Sequence, residues 1–524
     1  MNDSKTLDEV LAQDFHTLPE LIRLHAVQRP RHLALRQDAR TLDYRALDEL
    51  ADRIAASLQR DGVKPGQAIT ICAGTSIEYA GVFLGALRAG VAVAPLAPSS
   101  TAASIATMVG DAGAPLLFVD ASVAKALEPV RDRIAAEWVA LDDSAAGKSF
   151  QSWLVASGTV PTAVVAELDA PFNLIYSSGT TGTPKGIVQS NLMRWRQWRR
   201  AFAYDYKPDS VTIVSTPLYS NTTLVSFLPT LAVGGVVVLM AKFDARGFLE
   251  LAQKYHATTA MLVPVQYSRI MALAEFDRYD LSSFRAKFCT SAPFAANLKA
   301  EILQRWPGRL IEYYGMTEGG GTCVLEATEY PDKLHTVGCP APGHDIRLID
   351  DQGRELPPGS TGEIVGHSEG IMTGYHNQPE QTAEAEWYDP NGRRFIRTGD
   401  IGRFDEDGFL ILMDRKKDMI ISGGFNVYPS DLEAVLRGHE DVAEAAVVGV
   451  ASERWGETPV AFVVLRRKDA LPAKALLDWT NSQLGKTQRL AAIELVESLP
   501  RSAIGKVLKR ELRDTYRKKA PALS

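Results

Sequence analysis

Residues 176–186 read YSSGTTGTPKG, and after the tyrosine every one is Ser, Thr, Gly, Pro or Lys. They follow the largely apolar run 171–175. A strand opening into so many small donors and one lysine suggests a cradle for an anion. Gly179, Gly182 and Gly186 let the backbone approach a ligand and adopt left-handed conformations. Ser177, Ser178, Thr180, Thr181 and Thr183 supply hydroxyls, the peptide N–H groups can form an anion nest, and Lys185 supplies a point charge. That chemistry suits a polyphosphate. The pattern is not GxxxxGK[ST], because Pro184 precedes the lysine and the glycine spacing differs. A flexible Gly/Ser linker is the competing reading, but linkers seldom follow a buried strand so directly.

Such a loop needs a rigid frame. Over the first 170 residues, helical patterns alternate with short apolar strands. YRALDELADRIAASLQRDG has apolar positions at helical spacing and stops at Gly62. AITICAG, the helix SIEYAGVFLGALRAG, VAVAPL, PLLFVD and EWVALDD follow, and the pattern resumes at TTAMLVPV and RAKFCTSAP. Strands separated by helices imply parallel sheets with helices on their faces. From about Gly338, HDIRLIDDQGRELPPGSTGEIVGH reads as short strands with Gly and Pro turns, a β-rich subdomain. After the charged cluster MDRKKDMI, a compact α+β pattern runs to the end. The expected architecture is therefore α/β: a large N-terminal domain (1–413, β-rich from about 338), a hinge at 414–418, and a small mobile α+β domain (419–524). No repeat of 20–50 residues is visible.

The size agrees, because 524 residues exceed what one core supports. A chain 46% hydrophobic, 23% charged and of net charge −6 has the composition of a globular protein and argues against a dedicated nucleic-acid binder. RWRQWRR at 194–200 is a local exception; it reads as a surface helix that packs its tryptophans and solvates its arginines. Cys72, Cys289, Cys323 and Cys339 form no CxxC and suit a reducing cytosol. The first residues are acidic and lack an apolar signal core, so a cytoplasmic location is expected. Residues 210–241 carry no charge but include two prolines and Gly-Gly. They read as a strand, a loop, a buried helix from Leu224 to about Leu231 and a strand, not as a membrane span.

The loop resembles the phosphate-binding signature of the adenylate-forming superfamily, which includes acyl-CoA synthetases, nonribosomal-peptide adenylation domains and luciferases. YYGMTEGGG (313–321), STGEIVG (360–366), RTGD (397–400), DRKKDMIISGGFNVYPSDLE (414–433) and LPRSAIGK (499–506) follow in family order, so the resemblance covers almost the whole chain. It implies attack of a carboxylate on the α-phosphorus of ATP, giving acyl-AMP and pyrophosphate. The carboxylate is already ionised at neutral pH and needs no base, so the site must position reactants and neutralise charge. By resemblance, the 177–185 loop holds the β- and γ-phosphates, and Thr317 and Glu318 contact the α-phosphate and Mg²⁺; a lone hard carboxylate suits that ion. Tyr314 resembles the aromatic stacked on adenine, and Ser291–Ala292–Pro293 the loop on its other face. Glu312, Tyr313, Gly315 and Met316 complete the implied nucleotide set. Asp400 resembles the carboxylate that accepts from both ribose hydroxyls, and Arg415 a ribose or phosphate contact. Lys506 resembles the catalytic lysine that bridges the attacking carboxylate and the α-phosphate. Lys417 resembles the residue about which the small domain turns.

The acceptor is the next question. SGGFNVYP resembles the loop that forms the pantetheine tunnel of CoA ligases, which implies Ser422, Gly423, Gly424 and Phe425 as tunnel residues and CoA as co-substrate beside ATP and Mg²⁺. A carrier-protein thiol, a luciferase-like oxygenase and a non-catalytic binder of acyl-adenylate or nucleotide are the alternatives. For the acid, amino-acid-activating relatives place an aspartate in the pocket. The matching stretch here, 217–223, is charge-free, and a buried ammonium without a counter-charge is costly. Many CoA ligases carry a histidine after the aromatic of this segment, where Ser220 and Asn221 stand here. Tyr219 becomes a gate, and Cys289, Thr290 and the small Gly320 and Gly321 leave room for a bulky acyl group. A medium-chain, cyclic or aromatic acid is expected, with a short hydroxylated or branched acid as the alternative. PRSAIGK also fits the Pro-x4-Gly-Lys pattern of bacterial acyl-CoA synthetases acetylated on the lysine, which implies a lysine acetyltransferase as partner. A homodimer is the expected assembly.

Overall fold

The computed structural model describes residues 7–177, 184–422, 425–452, 455–467, 470–485, 488–502 and 505–519. The chain forms two compact units. The first comprises Met1–His335, Pro340–Asp345 and Gly366–Ile396; the second comprises Thr336–Cys339, Ile346–Val365 and Arg397–Ser524.

The first unit holds two large sheets. In one, six parallel strands run in the order Arg309–Met316, Ala286–Cys289, Thr259–Leu262, Val211–Val214, Val236–Leu239 and Leu33–Gln37. Antiparallel Gly319–Glu326 and Arg40–Asp43 flank them. In the other, Ala92–Pro95, Ala68–Cys72, Leu116–Val119, Glu137–Ala140 and Lys148–Ser149 lie parallel. That sheet continues through Pro171–Ser177, Lys185–Ser190 and Gly374–Tyr375, the last two pairings being antiparallel. The expected α/β frame is borne out strand by strand. Ala68–Cys72 and Ala92–Pro95 are buried along their whole length, as strands covered on both faces must be.

Local chemistry fixes the helices. Asp43 caps Tyr44–Arg60, its side chain accepting from the Ala46 N–H at 2.8 Å. That helix ends before Gly62, at φ 78°. Its partner, Ile77–Arg88, comes very close: a Cβ at Gly85 would stand 2.5 Å from the Cβ of Ile54, so only glycine permits the crossing.

The helix expected from Leu224 begins earlier and spans Asn221–Ala232. Its first turn, Asn221-Thr222-Thr223, looks like loop chemistry in the sequence. In the fold each of those side chains has a partner: Arg194 for Asn221, Ser291 for Thr222 and Thr216 for Thr223. The other end is held from outside as well. Tyr44 donates to the carbonyl of Gly235 at 2.7 Å, and the buried His25 imidazole donates from Nε2 to that of Ala232 at 2.8 Å.

The second unit contains most of Asp345–Ile349, Thr361–His367 and Arg394–Phe404 and all of Leu410–Arg415, strands of one sheet, as the Gly/Pro-punctuated texture suggested. Its last sheet runs Phe425–Val427, Ile420–Ser422, Gly456–Leu465, Val442–Ser452, with Ala492–Leu495 parallel to Gly456–Leu465. Strand alternation divides its core. Val447, Ala461 and Val463 face Leu432, Leu436 and Leu476 of the helices Pro429–Arg437 and Ala473–Gln483. Val448, Val450 and Phe462 face Leu512 and Tyr516 of Lys509–Lys519.

The RWRQWRR helix differs from expectation. Asn191–Ala201 buries Trp195 and Trp198, but Arg194 is fully buried too and Arg200, half-buried, contacts the His344 imidazole. Only Arg199 of its arginines is fully exposed.

Candidate active site

The strands Pro171–Ser177 and Lys185–Ser190 flank the Gly-rich stretch in the sequence and pair antiparallel. Ser178, Gly179, Thr180, Thr181, Gly182 and Thr183 lie outside the described residues, as do Gly423 and Gly424. Lys185 is described, paired across the hairpin with Ser177. The returning strand pairs on its other edge with Gly374–Tyr375. This edge strand brings in a residue that sequence reasoning missed. The Lys185 ammonium stands 4.8 Å from the centre of the Tyr375 ring, and the Tyr375 hydroxyl donates to Oε1 of Glu318 at 2.9 Å. Burial, followed by the Glu318 charge, raises the Tyr375 phenol well above its ordinary value, so it remains a donor.

Thr317 and Glu318 form the turn between Arg309–Met316 and Gly319–Glu326. Both are held through their carbonyls: Gln189 donates to that of Thr317 at 2.6 Å, and the Met372 N–H to that of Glu318 at 2.8 Å. Gly319 and Gly320 have φ of 78° and 74°, and a Cβ at Gly319 would lie 1.9 Å from the carbonyl oxygen of Gly370. A Cβ at Gly320 would lie 2.8 Å from that of Gly366, and one at Gly366 would lie 2.3 Å from the Gly321 nitrogen. The space beside these glycines is thus occupied by backbone of residues 366–370, which explains their small size without an acyl group.

Ala286–Cys289 runs parallel to Arg309–Met316 with Cys289 opposite Glu312. Thr290 donates from its hydroxyl to the Tyr313 carbonyl at 2.8 Å. Ser291 takes φ 83°, a left-handed conformation that costs a non-glycine residue, and its hydroxyl meets that of Thr222 at 2.5 Å. Alternation sends Tyr313 and Tyr314 to opposite faces. Tyr313 stacks on Phe288 with centroids 5.8 Å apart. Glu312 is buried against Lys299, and burial raises its carboxyl to about 7 despite that cation. Cys289 is fully buried and its thiol is pushed well up, by burial first and Glu312 next.

In the 217–223 segment Ser220 is buried and caps no N–H with its side chain. Tyr219 is raised by burial and bonds with Ser99.

The second unit supplies another cluster. Asp400 and Arg415 face each other across antiparallel strands, with the guanidinium Nε 3.1 Å from Oδ1. Lys417 lies in the tight turn closed by bonds from Asp418 and Met419 N–H to the Arg415 carbonyl. Arg501 and Val507 form an antiparallel bridge, Gly505 takes φ 79°, and the Ser502 N–H donates to the Lys506 carbonyl at 2.8 Å. Partial desolvation, then the charges of Arg415 and Lys417, lower the Lys506 ammonium to about 8; Asp400 and Asp418 pull the other way. Ser422 is buried, whereas Phe425 is 60% exposed.

The donor set fits a nucleotide-borne Mg²⁺. Among the described residues no group of three or more His, Cys, Asp or Glu could hold a metal. A single carboxylate, Glu318, beside a lysine is what an ion bound chiefly through phosphates requires.

Residues 22–376 match the AMP-binding enzyme family and residues 431–506 the AMP-binding enzyme C-terminal domain. The chain belongs to the AMP-binding enzyme family. It is 32% identical to a fatty acid–[acyl-carrier-protein] ligase, ScoC, of Streptomyces coeruleorubidus, over 97% of this chain and 98% of that one. It is 31% identical to a feruloyl-CoA synthase of an Amycolatopsis species, over 93% and 96%. Among solved structures it resembles ATP-bound MatB from Rhodopseudomonas palustris, with TM-score 0.87 and 28% identity over 96% of this chain and 100% of that one. As a member of this family the protein is an AMP-forming acid–thiol ligase that uses ATP and Mg²⁺.

Proposed function

We propose that the enzyme adenylates a medium-chain, cyclic or aromatic carboxylic acid and passes the acyl group to CoA, in fatty or aromatic acid metabolism. The observation that carries this reading is the Asp400–Arg415 pair, 3.1 Å apart, in the same unit as Lys506. Lys506 fits a role at the α-phosphate, where a lysine offsets repulsion between the attacking carboxylate and the phosphate. Glu318, oriented by Tyr375, holds the ion that ATP brings. When bound, that Mg²⁺ neutralises phosphate charge. Tyr219, Ser220 and Asn221 line the acid, and Ser291, Ala292 and Tyr314 take the adenine. A hinge at Lys417 lets one active centre serve both half-reactions, with the 422–425 loop guiding the thiol in the second.

The ScoC relative favours a second reading, in which the thiol belongs to a carrier protein. Pyrophosphate release over a panel of carboxylic acids, with CoA, with a pantetheinylated carrier and with neither, separates the two. Thioester only with the carrier replaces CoA in the reading, and no release with any acid defeats it.

Three finer parts of the reading concern the cell. Four cysteines, too few for a disulfide scaffold, suit the cytoplasm, and among the described residues no helix is long and apolar enough to cross a membrane. Acetylation of Lys506 by a lysine acetyltransferase removes the charge that adenylation needs. The working assembly is a homodimer, which light scattering tests.

A further inference from the structure

Arg194 is completely buried, and among the described residues no Asp or Glu pairs with it. Its guanidinium is bound by neutral amide oxygens instead. Nε donates to Oδ1 of Asn173 at 3.0 Å, one terminal nitrogen to Oε1 of Gln197 at 2.9 Å, and the other to Oδ1 of Asn221 at 2.9 Å and to Oε1 of Gln189. Burying a charge without a counter-ion is expensive, and apolar side chains would fill such a site at less cost. What distinguishes the arrangement is where its partners sit. Asn173 and Gln189 face each other on the two strands of the hairpin that carries the phosphate loop, and Asn173 also donates to Gln189 at 3.0 Å. Gln189 donates onward to the Thr317 carbonyl at 2.6 Å. Asn221 opens the acyl-segment helix. A planar fork of five donors can serve all of these directions at once, whereas an ammonium cannot match its fixed geometry.

We infer that Arg194 is a positioning residue for adenylation, locking the start of the acyl-segment helix to the phosphate-loop hairpin and, through Gln189, to the Thr317 turn. The acid and the α-phosphate contact are thereby held in one register. The inference rests on residues 219–221 lining the acid. A misplacement of about 1 Å between reactants costs on the order of a hundredfold in rate, so the tie has a kinetic consequence far larger than one hydrogen bond suggests.

The test uses Arg194→Lys, Arg194→Met, Gln189→Leu and the double variant Arg194→Met/Gln189→Leu, with pyrophosphate exchange as the assay and circular dichroism and melting as folding controls. In folded Arg194→Met, kcat should fall about tenfold or more and KM for the acid should rise, while KM for ATP moves less than about threefold. Arg194→Lys should recover only part of the loss. Because both substitutions break one tie, the double variant should lose no more than the worse single variant, while its apolar pair restores melting temperature. A purely structural arginine would lower the melting temperature and leave kcat and both KM values of the folded protein at parental levels. That outcome, or losses that multiply in the double variant, would overturn the inference. If Arg194→Met does not fold, the lysine and double variants decide by the same criteria. A parental enzyme inactive on every acid would instead count against the functional reading.

Discussion

The electrostatics of Lys506 give a pH profile that separates the two half-reactions. Its ammonium is lowered to about 8, by desolvation and then by Arg415 and Lys417. Adenylation needs the charged form. With a pKa near 8, about nine-tenths of the free enzyme carries that charge at pH 7 and about one-tenth at pH 9. The kcat/KM for ATP in acid-dependent pyrophosphate exchange should therefore fall with a slope of about −1 above pH 8. Bound ATP places anionic oxygens beside the lysine and raises its pKa, so the corresponding limb in kcat should appear at higher pH. Thioester formation from premade acyl-adenylate should not show the limb, because Lys506 has no part in that step. Lys506→Ala should lose adenylation by several powers of ten and keep the second step. Lys506→Arg, slower because its geometry differs, should have no limb below pH 10, since a guanidinium stays charged there. A limb that persists in Lys506→Arg assigns the titration to another group. A flat profile to pH 10 in the parent removes the charge argument altogether.

Further outcomes follow from the surrounding groups. Tyr375→Phe removes the donor to Glu318 and keeps the ring over Lys185; it should weaken the binding of ATP with Mg²⁺ about tenfold by calorimetry and leave metal-free ATP binding unchanged, a hydrogen bond to a charged group being worth roughly 1.5–3 kcal/mol. His25 is held neutral, its pKa lowered to about 4 by burial, so the unfolded chain binds more protons between pH 6.5 and 4 and stability falls as pH drops through that window. The loss from pH 7.5 to pH 5 should be about 2 kcal/mol, and His25→Gln, which keeps a donor for Ala232, should shrink the shift in melting temperature over that range. Lys417→Pro should spare acyl-AMP formation where the adenylating pose accepts φ near −65°, and slow thioester formation by at least about tenfold, with the melting temperature as control. Parental transfer to CoA in that variant would place the hinge elsewhere.

The sequence shows residue types and spacing along the chain, and the parts of this site that depend on those were legible. Buried strands announce themselves as apolar runs, so Ala68–Cys72, Leu116–Val119 and Thr259–Leu262 fall where AITIC, PLLFVD and TTAML stand. The turn at Thr317–Glu318 and the Asp400–Arg415 strands lie inside contiguous motifs. What the sequence hides is pairing at long range. Tyr375 follows Glu318 by 57 positions, and nothing in GYHNQPE marks it as that carboxylate's donor. Arg194 stands in a stretch with three other arginines and two tryptophans, where helical spacing says which side chains share a face but not that one cation is sealed among amides. The first turn of Asn221–Ala232 was missed for the same reason, because polar residues read as a loop until their partners are known.

These hidden residues share a physical character. Arg194 and Lys287 are buried basic side chains held by neutral oxygens; Lys287 donates to the carbonyls of Trp306, Pro307 and Gly308 at 3.1, 2.6 and 2.7 Å, and burial lowers its ammonium to about 7. That second side chain stands just past the end of the helix Ala296–Arg305, where the helix dipole is negative, and it ties this end to the strand leading to Thr290 and Ser291. Lys299 on that helix against Glu312 on the strand Arg309–Met316 is the contrasting case, a pairing with an acid. Neutral oxygens hold a basic side chain in a fixed direction without an acid to pair it. On this argument the cost of sealing Arg194 among amides is met by the register it holds between the hairpin and the helix Asn221–Ala232. An acid placed beside it would compete with Asn173, Gln189 and Asn221 for the guanidinium and loosen that tie.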